Sequence, residues 1–419
     1  MAEWGGTEAG RMGSFFDRAI EQSIPLFVQW DLTWRCDHKC VHCYLTERHQ
    51  TELTLAEGER ILDELAAAGT LFLLISGGDP FLRPDALEIV RAARKRQFDV
   101  KINTHGNFID DTMADALAAC GVSKVAMSLY SEFPEEHDAV TLIPGSQVKT
   151  IAAARRLRER GVAVGFKTPL MVHNRGGYQG VGRIARELGC DWESDAHIMA
   201  DDQNDFSLCG IGAHGSDRIL AVMRGFEGVM DQVKPVHLLE DTPSHRPTCS
   251  AGTASAYVTP DGRLQPCINW REDIGSLREH SFADLWWGES GRKQTEAVRA
   301  IRRASYLDDC GGCTFHGKCG YCPGISHAET GDAGRRSAYV CERTHLTMAA
   351  IDYVNACKEN DRPIPVPGTL EAEQMFADFG PTFAERQLAA RRAGMARPAH
   401  GLRESVSLVQ IGEPASKRP

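Results

Sequence analysis

From about Pro25 to Ala200, short apolar runs alternate with amphipathic stretches, the pattern of repeated βα units around a parallel sheet. The runs predict strands at Leu26 to Asp31, Leu71 to Ser76, Val100 to Thr104, Lys124 to Leu129, Ala163 to Pro169 and Cys190 to Asp195. Thr54-Leu55-Ala56-Glu57 reads as a capping box that starts a helix running to about Ala68, with Gly69 placed to end it. Similar helices are expected over Asp85 to Arg96, Asp111 to Cys120 and Gln147 to Arg160. The fold class is therefore α/β. Six units are too few to close an eight-stranded barrel, but they still gather the loops after each strand on one face.

Beyond Thr248 the pattern changes. Cysteines become dense, Gly is frequent and apolar periodicity fades as far as Cys341, as expected of a metal-organised module rather than a second conventional core. The segment after Cys357 opens with Pro363, Pro365 and Pro367 and carries one expected helix around Leu370 to Ala393. Its end lacks periodicity, as in a solvated or partly disordered tail, with a lid or partner-contact segment as the alternative. The expected organisation is an extension over 1–24, an α/β core over 25–235, a cysteine-rich domain over 245–350 and a tail over 358–419.

Composition narrows the class further. A net charge of -10 in 419 residues gives no surplus of Lys and Arg for binding phosphate, so nucleic acid is not an expected partner. Neither a signal peptide nor a span of membrane length is present, which predicts a cytoplasmic protein. In a reducing compartment the 14 cysteines read as metal ligands rather than disulfides.

The most specific signal is Cys36-x3-Cys40-x2-Cys43, followed by Tyr44. Three thiolates are one fewer than the four that saturate a cubane cluster, so one iron would be open to chemistry. A zinc knuckle is the alternative, although zinc sites usually pair ligands as C-x2-C. One βα unit later, Gly77-Gly78-Asp79-Pro80 places paired glycines, which let a ligand approach the backbone, beside a carboxylate that suits an ammonium. Taken together these motifs resemble the radical SAM superfamily. The resemblance implies a 4Fe-4S cluster on Cys36, Cys40 and Cys43 that binds and reduces S-adenosylmethionine, with Tyr44, Gly77, Gly78 and Asp79 about the cofactor.

That family usually has Glu where this chain has Asp79, one methylene shorter. By the same resemblance, Thr104 in Asn103-Thr104-His105-Gly106-Asn107 lies beside the cofactor, Ser128 contacts its ribose, and Lys167 sits near its carboxylate. Lys167 equally suits an ordinary strand-end charge. His137-Asp138 and Pro144-Gly145-Ser146 also match relatives, or simply make a loop and a helix cap.

Downstream, Cys249-x12-Gly262-x4-Cys267 and Cys310-x2-Cys313-x5-Cys319-x2-Cys322, with Cys341, resemble the SPASM extension of these enzymes. Residues 257–262 read as a hairpin with an Asp-Gly turn, and Phe282 to Trp286 as a helix start. The resemblance implies two auxiliary iron-sulfur clusters, one on Cys310, Cys313, Cys319 and Cys341 and one on Cys249, Cys267 and Cys322. A fourth ligand to the latter is often a cysteine at the position of Pro243, which leaves an open iron, His245, Cys209 or another group. C-x2-C pairs keep a zinc ribbon as the alternative. Cys120, Cys190, Cys209 and Cys357 fall outside these patterns and read as small buried hydrophobes, with Cys209 the candidate hydrogen donor to a substrate radical.

The leading expectation is an enzyme that modifies a ribosomally made peptide by hydrogen abstraction, forming a carbon-carbon or thioether crosslink or a related bond. The alternatives are a small-molecule radical SAM enzyme, such as a tetrapyrrole side-chain or aminoglycoside-type oxidoreductase or epimerase, and a non-catalytic electron carrier. About 24 residues precede the first strand, so a separate leader-recognition protein is the expected partner, together with an electron donor of the flavodoxin or ferredoxin type.

Overall fold

The computed structural model of the chain describes residues 15–195, 197–213, 215–226, 230–365 and 369–370. Six parallel strands run β1 (Phe27–Thr33), β2 (Phe72–Gly77), β3 (Asp99–Thr104), β4 (Lys124–Ser128), β5 (Val164–Pro169) and β6 (Asp191–Asp195). Each lies within two residues of its predicted bounds. In space they follow chain order, and β7 (Ser255–Val258), β8 (Arg263–Gln265) and β9 (Gly275–Ser276) continue the sheet beyond β1.

Helices α1 (Leu55–Ala67), α2 (Ala86–Lys95), α3 (Asp111–Cys120), α4 (Pro134–Thr141), α5 (Ser146–Glu159) and α6 (Tyr178–Leu188) join successive strands and cover one face. The Thr54 box forms as read, with Glu57 N donating to Thr54 Oγ1 at 3.2 Å and Thr54 N donating to the Glu57 carboxylate at 2.7 Å. Helix faces and outward strand residues, among them Trp30, Leu62, Leu73, Ile102 and Phe166, fill one core at 0–1% exposure. The opposite strand face stays open and forms a lumen.

The cysteine-rich region is not organised by its thiols alone. Strand β7 pairs in parallel with β1, and the Asp261-Gly262 turn returns the chain as antiparallel β8, with Gly262 at φ +87. From α8 (Phe282–Trp287), Phe282, Leu285 and Trp286 enter the same core as the βα units. Fading periodicity conceals this, because β8 and β9 are too short to show an alternation. After α8 come α9 (Arg292–Arg299), α10 (Leu307–Cys310) and α11 (Pro323–Thr330).

A second core, not anticipated in the sequence, packs α7 (Gly215–Arg224) against the long α12 (Ala338–Glu359) through Ile219, Leu220, Met223, Ala350 and Val354. Cys357 is buried there at 4% exposure. No helix among the described residues is long and apolar enough to cross a membrane. Apart from Leu370, the helix expected over residues 370–393 lies outside the described residues.

Candidate functional site

The sequence places Cys36, Cys40 and Cys43 in the loop after β1, and the fold brings the loop after β2 against it. Gly77, at φ +135, would put a Cβ 2.1 Å from the Thr33 carbonyl oxygen, and a Cβ on Gly78 would lie 2.3 Å from that of Arg35. Both glycines are therefore required by the backbone of the triplet loop itself, which occupies the space expected for a ligand. Gly78 N donates to Thr33 O at 2.8 Å and Asp79 N to Arg35 O at 2.9 Å, so the two loops form one unit.

The three thiols face one another closely enough that Cys40 opposes ionisation of Cys36, and Cys43 that of Cys40. Burial is the larger effect, pushing the Cys36 thiol up to about 12 and that of Cys40 to about 11. A cation among them reverses that shift, since a coordinating thiol is deprotonated outright. A set of soft donors that is acidic only around a metal fits an iron-sulfur cluster.

Asp79 is fully enclosed. Its Oδ1 accepts from Phe81 N at 3.0 Å, and its Oδ2 accepts from Thr104 Oγ1 at 2.5 Å and His105 N at 3.0 Å. Desolvation raises its pKa above the ordinary value, against the lowering pull of His105 and these donors. Thr104 is thus committed to Asp79 rather than left free beside a cofactor. Sequence reading passed over His105, whose Nε2 lies 2.9 Å from Asp37 and 3.2 Å from Asp79 and whose ring stacks on His38 at 3.8 Å. The only available signal was its position as the first residue after β3.

Ser128 ends β4 and Lys167 stands beside it on β5, with Lys167 Nζ 3.5 Å from Glu193. Lys167 points into the lumen, a cavity of about 450 Å³ whose lining also includes Asp99, Lys101, Lys124, Tyr257 and Cys267. A second cavity is lined by Tyr44, Thr46, Gln50 and Arg271, and the two meet at Tyr257 and Ile268. The lumen therefore leads from the residue after the triplet to one thiol of the downstream set.

The downstream thiols lie in two neighbourhoods. Cys267 lies near Cys322 and Cys249, and burial raises its thiol to about 12. Cys310 lies near Cys341, Cys319 and Cys313, and all four line one small cavity. Tyr306, near Cys322 and Cys249, stacks at 4.1 Å on Tyr321, which borders the other group. His245 is exposed on the surface.

Cys209 is placed elsewhere. Its Sγ donates to the Ile198 carbonyl at 3.1 Å, and the side chain, 3% exposed, packs with Phe206 and Tyr339 and lines neither cavity.

The chain matches the Radical SAM superfamily over residues 31–185 and the SPASM iron-sulfur cluster-binding domain over 249–314. It is 33% identical to the Fe-coproporphyrin III synthase of Methanosarcina barkeri over 357 residues, covering 73% of this chain and 87% of that protein. The chain belongs to the radical SAM superfamily. Within it, the chain is also similar to the AdoMet-dependent heme synthase of the same organism, at 26% identity over 77% of this chain and 97% of that protein. The PqqA peptide cyclase of Xanthomonas campestris is 27% identical, over 82% and 92% respectively. Among solved structures, Streptococcus suis SuiB bound to S-adenosylmethionine shares the fold with a TM-score of 0.63 at 15% identity, covering 81% of this chain and 84% of that one. The chain is thus a radical SAM enzyme with a SPASM domain, which binds S-adenosylmethionine and a 4Fe-4S cluster.

Proposed function

We propose that this radical SAM/SPASM enzyme is an oxidoreductase that removes hydrogen from a ribosomally made peptide seated in the lumen, forming a carbon-carbon or thioether crosslink or a related bond. When bound, S-adenosylmethionine and the cluster on Cys36, Cys40 and Cys43 supply the hydrogen-abstracting 5'-deoxyadenosyl radical. Closing the new bond releases one further proton and one electron. Clusters on the two downstream thiol groups would accept that electron, and the stacked Tyr306 and Tyr321 fill the space between them.

The charge balance of the lumen carries this reading. Lys101, Lys124 and Lys167 project from neighbouring strands, but Lys124 pairs with Asp191 at 2.7 Å, Lys167 with Glu193 at 3.5 Å, and Asp99 lies in the same lining. Such a wall suits a zwitterionic chain with both donors and acceptors. It lacks the surplus of cations that a substrate bearing only carboxylates requires. The PqqA peptide cyclase relative agrees with a peptide. A separate leader-recognition protein would deliver that peptide, and a flavodoxin or ferredoxin would supply electrons.

A second reading, decarboxylation or oxidation of tetrapyrrole side chains, draws on the 33% identity to Fe-coproporphyrin III synthase. The two separate in one experiment on the anaerobically reconstituted enzyme with dithionite and S-adenosylmethionine. Short Cys-rich or aromatic-rich peptides encoded beside the gene should lose two hydrogens, while iron tetrapyrroles bearing acetate or propionate side chains should be recovered unchanged. Loss of carbon dioxide from the tetrapyrrole, with no change in any peptide, rejects the peptide reading.

A further inference from the structure

His137-Asp138 and Pro144-Gly145-Ser146 flank the short connection between α4 and α5, and the fold sets that connection against the triplet loop. Lys39 N donates to Thr141 O at 3.2 Å and Val41 N to Val140 O at 2.9 Å, so both chain neighbours of Cys40 are bonded to the end of α4. The connection is held firmly. Asp138 accepts from Gly145 N at 2.5 Å, Ser146 Oγ at 2.9 Å and Gln147 N at 3.2 Å, and Thr141 Oγ1 lies 2.7 Å from Ser146 Oγ.

This frame presents apolar side chains to solvent. Leu142 is 54% exposed and Val148 60%. Leu142 also closes α4 in the left-handed conformation, at φ +58, where glycine is the ordinary residue. A strained leucine that the core does not receive costs stability without packing in return, the kind of local strain found where a surface binds.

Charge is the second observation. Lys39 is bonded to the residue before Leu142, Lys149 follows Val148, and both are exposed. Lys149 is close enough to His38 to oppose its protonation. Acids of the same loops are engaged: Asp138 by the frame, Asp37 by His105 at 2.9 Å, and Glu47 by the backbone N–H groups of Arg48 and His49 at 3.1 and 3.3 Å. On a chain of net charge -10, an apolar patch rimmed by cations favours an acidic partner at this one place. Its position against Cys40 favours a partner that has to reach the cluster.

We propose that Leu142, Val148, Lys39 and Lys149 form the docking surface for an acidic flavodoxin, which sets the apolar edge of its FMN on the leucine and valine and the carboxylates around that edge on the lysines. The step moves one electron and no atom: the anionic FMN hydroquinone is oxidised by one electron, and a cluster on Cys36, Cys40 and Cys43 is reduced by one. The hydrogen bond from Lys39 N to Thr141 O gives that electron a bonded route to the residue before Cys40. The inference rests on the radical SAM reading, in which S-adenosylmethionine is reduced through that cluster, and adds where the electron enters.

The test titrates the reconstituted full chain calorimetrically with a purified bacterial flavodoxin, and drives S-adenosylmethionine cleavage either with flavodoxin reduced beforehand to its hydroquinone or with dithionite. Lys149→Glu should weaken flavodoxin binding and raise the KM for reduced flavodoxin by about 10-fold at low salt, and the difference should shrink at about 1 M salt, where the Debye length is about 3 Å. Leu142→Gly should weaken binding at both salt concentrations while the melting temperature holds or rises, since glycine suits φ +58. Dithionite-driven cleavage and iron content should match wild type in both variants, because dithionite needs no docking surface.

Wild-type flavodoxin binding in both variants, no saturable binding by the wild-type enzyme, or a loss shared equally by the dithionite reaction overturns the assignment. Retained flavodoxin binding with loss of peptide binding gives the surface to peptide delivery and overturns it as well. Failure of dithionite to support cleavage by the wild-type enzyme would instead remove the radical SAM reading on which it rests.

Discussion

At residue scale the triplet loop is ringed by imidazoles that packing disfavours in their charged form. Burial depresses His38, His42 and His137 to about 4 from 6.5. A depressed histidine takes up its proton in the unfolded chain first, so the stabilisation is present above 6.5 and is lost as the pH falls toward 4. Thermal melting of the cluster-free protein should therefore drop steadily between about pH 6.5 and 4, and His137→Gln should flatten that slope. Gly77→Ala should cost at least about 2 kcal/mol and abolish cluster loading, since a Cβ there meets the Thr33 carbonyl oxygen at 2.1 Å in a left-handed conformation. Iron content and melting temperature check it. The motif reading gave Gly77 and Gly78 to the approach of a ligand, whereas the atoms opposing them belong to a backbone segment more than 40 residues earlier, which no local pattern reveals.

At the scale of elements, Glu329-Thr330-Gly331-Asp332 turns out to carry a packing role. The Glu329 carboxylate accepts from Ser337 Oγ at 2.6 Å, Ala338 N at 2.9 Å and Tyr339 N at 3.2 Å, and so caps the start of α12. Cys341 sits in the first turn of that helix, so the cap also orients a thiol of the downstream group. Glu329→Ala should cost about 1–2 kcal/mol and lower iron content after reconstitution, leaving the triplet site loaded. All six parallel strands and α1, α2, α3 and α5 were legible as runs of period 2 or 3.6. By contrast, α12 was not, because it is buried on several sides and its cysteines and small residues blur any apolar stripe.

For the whole molecule, the most informative contact joins the two halves of the chain. Tyr257 Oη, on β7, donates at 2.7 Å to Asp31 on β1, a fully buried carboxylate that also accepts from Gln29 Nε2 and Trp34 Nε1. Desolvation raises its pKa while these three donors lower it. Tyr257→Phe should destabilise the fold by about 1–3 kcal/mol through loss of a donor to a buried carboxylate, read as a fall in the denaturant midpoint. With three clusters bound, full reconstitution should give roughly 12 irons per chain and roughly 8 when Cys36, Cys40 and Cys43 are all Ala. A count near 4 with zinc present would instead assign the downstream thiols to zinc.

The sequence alone carried the candidate thiols and their spacing, because thiol spacing and strand periodicity are local properties of the chain. It also carried the α/β class, six βα units in order, and the hairpin at Asp261-Gly262. Only the tertiary structure decided that the cysteine-rich region extends the same sheet, that Cys209 is sealed among Phe206 and Tyr339, and that Asp79 is enclosed while Asp37 is exposed. Each of those outcomes depends on which donors and apolar faces arrive from distant parts of the chain. A carboxylate's role follows from the partners that fill its lone pairs, and these are set by packing.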